Sequence, residues 1–143
     1  MNSSSINEIQ HEIIDEFSLF DDWTDRYEYI IDLGKKNPPL PESQKVEANI
    51  IKGCQSQVWL VARYEDGLIH FAGDSDAIIV KGLVSLLMRV LSGHSPKEIA
   101  EANLFFIEEI GMTQHLAQTR SNGLLSMVKQ MKFYGLAYQL KEE

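Results

Sequence analysis

Residues 58–73, VWLVARYEDGLIHFAG, decide the architecture. Two runs rich in β-branched and aromatic side chains, VWLVARY and LIHFAG, flank the turn Glu65-Asp66-Gly67, the composition of an antiparallel hairpin. Just upstream, Val46, Ala48 and Ile50 alternate with Glu47 and Asn49, a period of two that predicts one more strand. The expectation is a small antiparallel three-stranded sheet.

Both flanks of the sheet read as helical. Ser5-Ile6-Asn7-Glu8 has capping-box spacing, and Ile6, Ile9, Ile13, Phe17 and Phe20 follow at three- and four-residue steps, predicting a helix to about Leu19. Asp21 and Asp22 can cap a second helix with Trp23, Tyr27, Ile30 and Ile31 as its buried stripe and Gly34 as its left-handed stop. Residues 35–45, KKNPPLPESQK, hold three of the four prolines, which deny the segment helical and ladder hydrogen bonds, so it reads as a surface loop.

After the hairpin, Ser75 or Asp76 can cap a densely apolar helix carrying Ile79, Leu83, Leu86, Leu87, Val90 and Leu91, which must be largely buried. Ser95-Pro96-Lys97-Glu98 opens a short helix, another ends at Gly111, and Ser121 can cap a last one bearing Leu124, Val128, Met131 and Tyr138 up to a frayed KEE tail. Helices, then a meander, then helices make an α+β layer fold with the helices packed on one side of the sheet, rather than βαβ units. Residues 1–143 read as a single domain.

The composition narrows function. An apolar fraction of 44% and a charged fraction of 24% are those of a globular protein. A net charge of −8, with thirteen Lys and Arg scattered along the chain, opposes nucleic-acid binding. No apolar run approaches the roughly 20 residues of a membrane span. The start, MNSSSINEIQHEIIDEF, lacks the basic and apolar regions of a signal peptide, so a cytoplasmic location is expected. One cysteine cannot close an internal disulfide.

That cysteine, Cys54, lies in Lys52-Gly53-Cys54-Gln55-Ser56-Gln57, where a connection between strands should lift it to the sheet edge. Gly53 gives the backbone freedom before the thiol, and Gln55, Ser56 and Gln57 are polar company for a cysteine whose alternative role is that of a small core hydrophobe. His11, His70, His94 and His115 are isolated, and no second cysteine or HxxxH pair completes a metal site. An iron–sulfur scaffold would need several thiolates. A cysteine hydrolase would need a base such as His115 or His70 beside Cys54, an arrangement sequence leaves open, as it does a thiol-independent binding module. Asp74 and Asp76 in GDSDA read as helix caps in preference to a metal loop. Arg120 either reaches a thiolate or a partner's carboxylate, or is a solvated surface cation.

Three blocks, IKGCQSQVW (residues 51–59), GDSDAIIVKGL (73–83) and LAQTRSNGL (116–124), resemble in order the signature blocks of the SufE family, and DWTDRYEYIIDL (22–33) is similar to its second helix. The resemblance covers roughly residues 20–135. It implies a SufE/NifU-like fold shared with IscU-type scaffolds, but without the scaffolds' additional cysteines. It implies a protein without a cofactor of its own, accepting persulfide on Cys54 from a pyridoxal-phosphate cysteine desulfurase of the SufS kind and passing sulfur to iron–sulfur scaffold proteins. It further implies that the cysteine loop shelters its thiol in an apolar cavity and swings outward with Gly53 as hinge. His115, Arg120 and Asp76 match family positions, as loop support or as partner contacts.

Overall fold

The computed structural model describes residues 5–142; the first four residues of the start read for a signal peptide, and Glu143 of the KEE tail, lie outside the described residues. The elements run α1 (Ile6–Phe17), α2 (Trp23–Lys36), two 3-10 turns (Glu42–Gln44 and Glu47–Asn49), β1 (Val58–Glu65), β2 (Leu68–Ser75), α3 (Ile78–Leu91), α4 (Pro96–Glu101), α5 (Phe106–Ile110), α6 (Met112–His115) and α7 (Gln118–Glu142). No helix among the described residues is long and apolar enough to cross a membrane.

The hairpin forms as its sequence dictates. β1 and β2 pair antiparallel from Val58 opposite Ser75 to Glu65 opposite Leu68, and the turn places Asp66 and Gly67 at φ 54° and 78°, the left-handed pair a two-residue loop needs. The sheet has two strands, not three. Residues 46–50 coil into the 3-10 turn Glu47–Asn49, with the Asn49 side-chain amide donating to Gln44 O at 2.8 Å. Only Ile50 bridges to Trp59. A side-chain bond to nearby backbone competes with the ladder, and period-two apolarity alone does not register it.

One face of the hairpin carries Val58, Leu60, Ile69 and Phe71, all buried. Against it lie α3, the central helix with nine buried residues, and α7, whose Tyr134 and Tyr138 approach Phe71 and Tyr64. On the opposite face Trp59 is shielded near the proline-rich loop, with the Lys45 ammonium 5.5 Å from its ring centroid. α2 crosses α3 at glycines: a Cβ on Gly82 would stand 2.0 Å from Ile30 O, and one on Gly34 2.7 Å from Gly82 N. Gly34 is therefore a close-packing residue inside α2, which continues to Lys36, rather than its left-handed stop.

Capping follows the sequence at both boxes, Ser5 with Glu8 and Ser95 with Glu98, and at Asp22, which accepts from Asp25 N. Gly111, at φ 91°, ends α5. Ser121 caps nothing: α7 begins at Gln118, and Ser121 sits buried in its first turns. α1 ends at Phe17, two residues early.

Candidate functional site

Cys54 stands on a short loop whose two ends are fastened to the sheet. Ile51 N donates to Val58 O at 2.8 Å on one side. On the other, Gln57 O accepts from the Ser75 hydroxyl at 2.8 Å and from Asp76 N at 3.3 Å, while Gln57 N donates to Asp76 Oδ1 at 3.1 Å. Asp76 thus supports the loop's far end instead of capping α3. That helix starts after Ala77 with no side-chain cap; the Ser75 hydroxyl accepts from Ala77 N just before it.

Within the loop, Gly53 takes φ 93°, a conformation costly for any side chain, and a Cβ there would stand 2.6 Å from the Ser126 hydroxyl of α7. The chain can therefore turn tightly against that helix and present the next residue inward. Cys54 is half-buried. Its Sγ lies 3.6 Å from Gly123 O, a weak S–H donor to a helix carbonyl, and a Cβ on Gly123 would come to 3.6 Å from that sulfur, ordinary contact distance.

The thiol opens onto a cavity of about 210 Å³. Ile79, Val80 and Leu83 of α3 and Met127 of α7 form its apolar wall. Gln55, Thr119 and Arg120, all exposed, form its rim. Burial pushes the pKa of the Cys54 thiol up from its ordinary value, because the thiolate would lose hydration. Arg120 is the one charged residue lining the cavity, and among the described residues its guanidinium has no hydrogen-bond or ion-pair partner.

His115 lies elsewhere. Its ring stacks on Trp23 with centroids 4.5 Å apart, and its Nδ1 is 2.9 Å from Gly111 O, which can only accept, so Nδ1 carries the proton. Its carbonyl accepts from the Tyr27 hydroxyl. His70 is on β2 opposite Arg63. No histidine lines the Cys54 cavity, so the base a cysteine hydrolase requires is missing from it. Among the described residues no group of three or more His, Cys, Asp or Glu could hold a metal. Asp74 is neither metal ligand nor cap: its buried carboxylate accepts from Leu40 N and Ser75 N and pairs with Lys45 and Lys81, joining the proline loop to β2 and α3.

The structure thus brings Gly53, Cys54, Gln55, Asp76 and Arg120 into one region and leaves His115 outside the cavity. Sequence reading did not single out Gly123 or Met127. Their signal was available in the recurrence of Thr119-Arg120, Gly123 and Met127 at three- to four-residue steps, one face of α7 with a glycine at its centre.

A family model described as SufE, Fe-S metabolism associated domain, matches residues 11–134. An uncharacterized SufE-like protein of Rhizobium meliloti is 44% identical over 126 residues, covering 85% of this chain and 90% of the relative. One of Rhizobium etli is 46% identical, covering 85% of each, and one of Synechocystis is 42% identical, covering 90% of this chain and 80% of the relative. The solution structure of a hypothetical protein from Thermus thermophilus superimposes with a TM-score of 0.73 over 90% of this chain and 94% of its own, at 21% identity, a likeness of fold.

Proposed function

The chain belongs to the SufE family, and from that premise we propose that its 143 residues act as one sulfur-acceptor domain in the cytoplasm, Cys54 taking sulfane sulfur from a pyridoxal-phosphate cysteine desulfurase and passing it to iron–sulfur scaffold proteins. The observation that carries this reading is a lone thiol, on a loop fastened at both ends, facing a cavity with an apolar wall and a polar rim in which, among the described residues, no histidine stands.

The transfer balances without an external oxidant or reductant. The Cys54 thiolate attacks the outer sulfur of the desulfurase persulfide; the new bond is Cys54 S–S, the bond broken is the desulfurase's own S–S, and its thiolate leaves with that electron pair. The proton lost by Cys54 goes to solvent or to the departing thiolate. Because this chain has one cysteine, no internal thiol can attack the new persulfide and discharge its sulfur as sulfide.

At rest the raised pKa keeps Cys54 as a thiol, a poor nucleophile. Movement of the loop into the partner, turning at Gly53, would restore its ordinary ionisation. Arg120, at the rim and unpaired among the described residues, is placed to meet an anion, either a partner carboxylate or the loaded persulfide.

The test is mass spectrometry of the protein after incubation with a cysteine desulfurase and cysteine. Added sulfur of one atom, confined to the peptide bearing Cys54 and removed by a reductant, is the expected result. An unchanged mass would replace this reading with a binding module that works without its thiol.

A further inference from the structure

The Cys54 loop has a second flank, and it is chemically unlike the first. There Ile50, Ile51 and Lys52 face Ser126, Lys129 and Phe133 of α7 across a groove of about 440 Å³ that shares no lining residue with the thiol cavity. We infer that this groove docks the desulfurase, through an acidic segment of that enzyme carrying an apolar side chain. The inference rests on the reading of Cys54 as sulfur acceptor.

Charge argues for the acidic character. Lys52 and Lys129 make no ion pair or side-chain hydrogen bond among the described residues, whereas Lys45, Lys81 and Lys132 are each engaged by protein oxygens. Among the described residues no Asp or Glu lines the groove, although the whole chain carries a net charge of −8. The two ammonium groups are thus the charges that an incoming segment meets on the groove's own lining.

Apolar surface argues for the accompanying side chain. Phe133 is 59% exposed at the groove, and Leu136 and Leu140, three and seven residues on, continue the same helical face at 48% and 62% exposure. A contiguous exposed apolar strip beside a reactive loop marks a contact surface. Its position selects the partner: Lys52 is two residues before Cys54, and Gly53 rests on Ser126, so whatever fills the groove touches the loop that must meet the desulfurase.

The experiment titrates the full chain into purified cysteine desulfurase of the same organism by calorimetry, at ~0.1 M and ~0.5 M salt. Lys52→Glu/Lys129→Glu should weaken binding by about tenfold or more at low salt and flatten its salt dependence, while Phe133→Ser should weaken it at both salts. In sulfur-uptake assays both variants should raise the half-saturating desulfurase concentration and still reach the wild-type plateau. Unchanged melting temperatures, expected at exposed positions, confirm that folding is intact. Wild-type affinity in both variants overturns the proposal. So does wild-type self-association abolished by Phe133→Ser with desulfurase affinity retained, which would assign the strip to a second copy of this chain. Failure of the acceptor reading has a different signature, wild-type protein that binds the desulfurase through the groove yet gains no sulfur on Cys54.

Discussion

At the scale of single residues, Cys54 is held by burial and Asp76 by its bonds to Gln57, and the two can be probed separately. Since burial raises the thiol's pKa, iodoacetamide should alkylate Cys54 of the free protein more slowly at pH 7–8 than it alkylates an unstructured cysteine peptide. The rate's inflection should lie above the ordinary thiol value of about 8.5. An inflection below that value would mean that a cation, not the apolar wall, governs the thiol. Asp76→Ala removes the acceptor for Gln57 N, an exposed bond worth about 0.5–1.5 kcal/mol, so global stability should change little while Cys54 alkylation accelerates. Asp76→Asn, which keeps the oxygen, should stay near wild type. Cys54→Ser offers a hydroxyl that can donate to Gly123 O, so the fold should survive within about 1 kcal/mol while sulfur uptake disappears. Much of this was legible, because a glycine and polar neighbours around a lone cysteine announce an accessible loop. Gly123 and Met127 were legible only as members of one helical face with Thr119 and Arg120, since that spacing alone does not separate a cavity wall from an ordinary core stripe.

Among the elements, α2 and α3 cross at glycines, and Gly82→Ala tests how close that crossing must be. The added methyl would meet Ile30 O at 2.0 Å, a Cβ against a backbone oxygen, so no rotamer change can relieve it and the helices must separate. The expected cost is roughly 1–3 kcal/mol or more, read as a lower denaturant midpoint with an unchanged slope. A neutral outcome would mean that the crossing is loose. The same contact explains one misreading: a glycine near the end of a helical stripe usually marks a left-handed stop, yet Gly34 is retained for proximity, a property of a partner 48 positions away that local pattern cannot encode. The missing third strand has a local cause instead. VEANI alternates as a strand does, but Asn49 bonds back to Gln44 O, and the segment coils before it can enter the ladder. The Ser121 misreading is similar, since a serine before an apolar periodicity resembles a cap even when the helix has already begun at Gln118.

For the molecule as a whole, stability should fall with acid in two separable stages, set by two buried groups. His94 is buried at the start of the α4 segment, and loss of hydration, only partly opposed by Glu98, holds its folded pKa below the ordinary value of about 6.5. The unfolded chain therefore binds a proton there that the folded chain resists, and stability present above about pH 6.5 declines as pH drops below it. Asp74 acts lower. Burial alone would raise its carboxyl, but N–H bonds from Leu40 and Ser75 and the Lys81 ammonium outweigh burial and hold it below the usual carboxylate range. Its contribution is complete above about pH 3.9 and is lost as pH falls through the depressed folded value. Glu16, bonded to Arg89, titrates in the same lower window, so Asp74→Asn should weaken that stage without abolishing it. At neutral pH Asp74→Asn should cost about 2–3 kcal/mol, since Lys45 and Lys81 lose their common anion but can turn partly to water. The difference from wild type should narrow toward zero as acid neutralises Asp74 in the parent protein. His94→Gln, by contrast, should erase the stage that begins near pH 6.5 and leave the lower one in place. Urea unfolding at half-unit steps from pH 7 to pH 3 resolves both stages. A wild-type curve flat from pH 7 to pH 5 would show that His94 accepts its proton without cost, and a gap between wild type and Asp74→Asn that has not begun to narrow by pH 3 would show that the carboxylate's place among Leu40, Lys45 and Lys81 contributes shape and not charge.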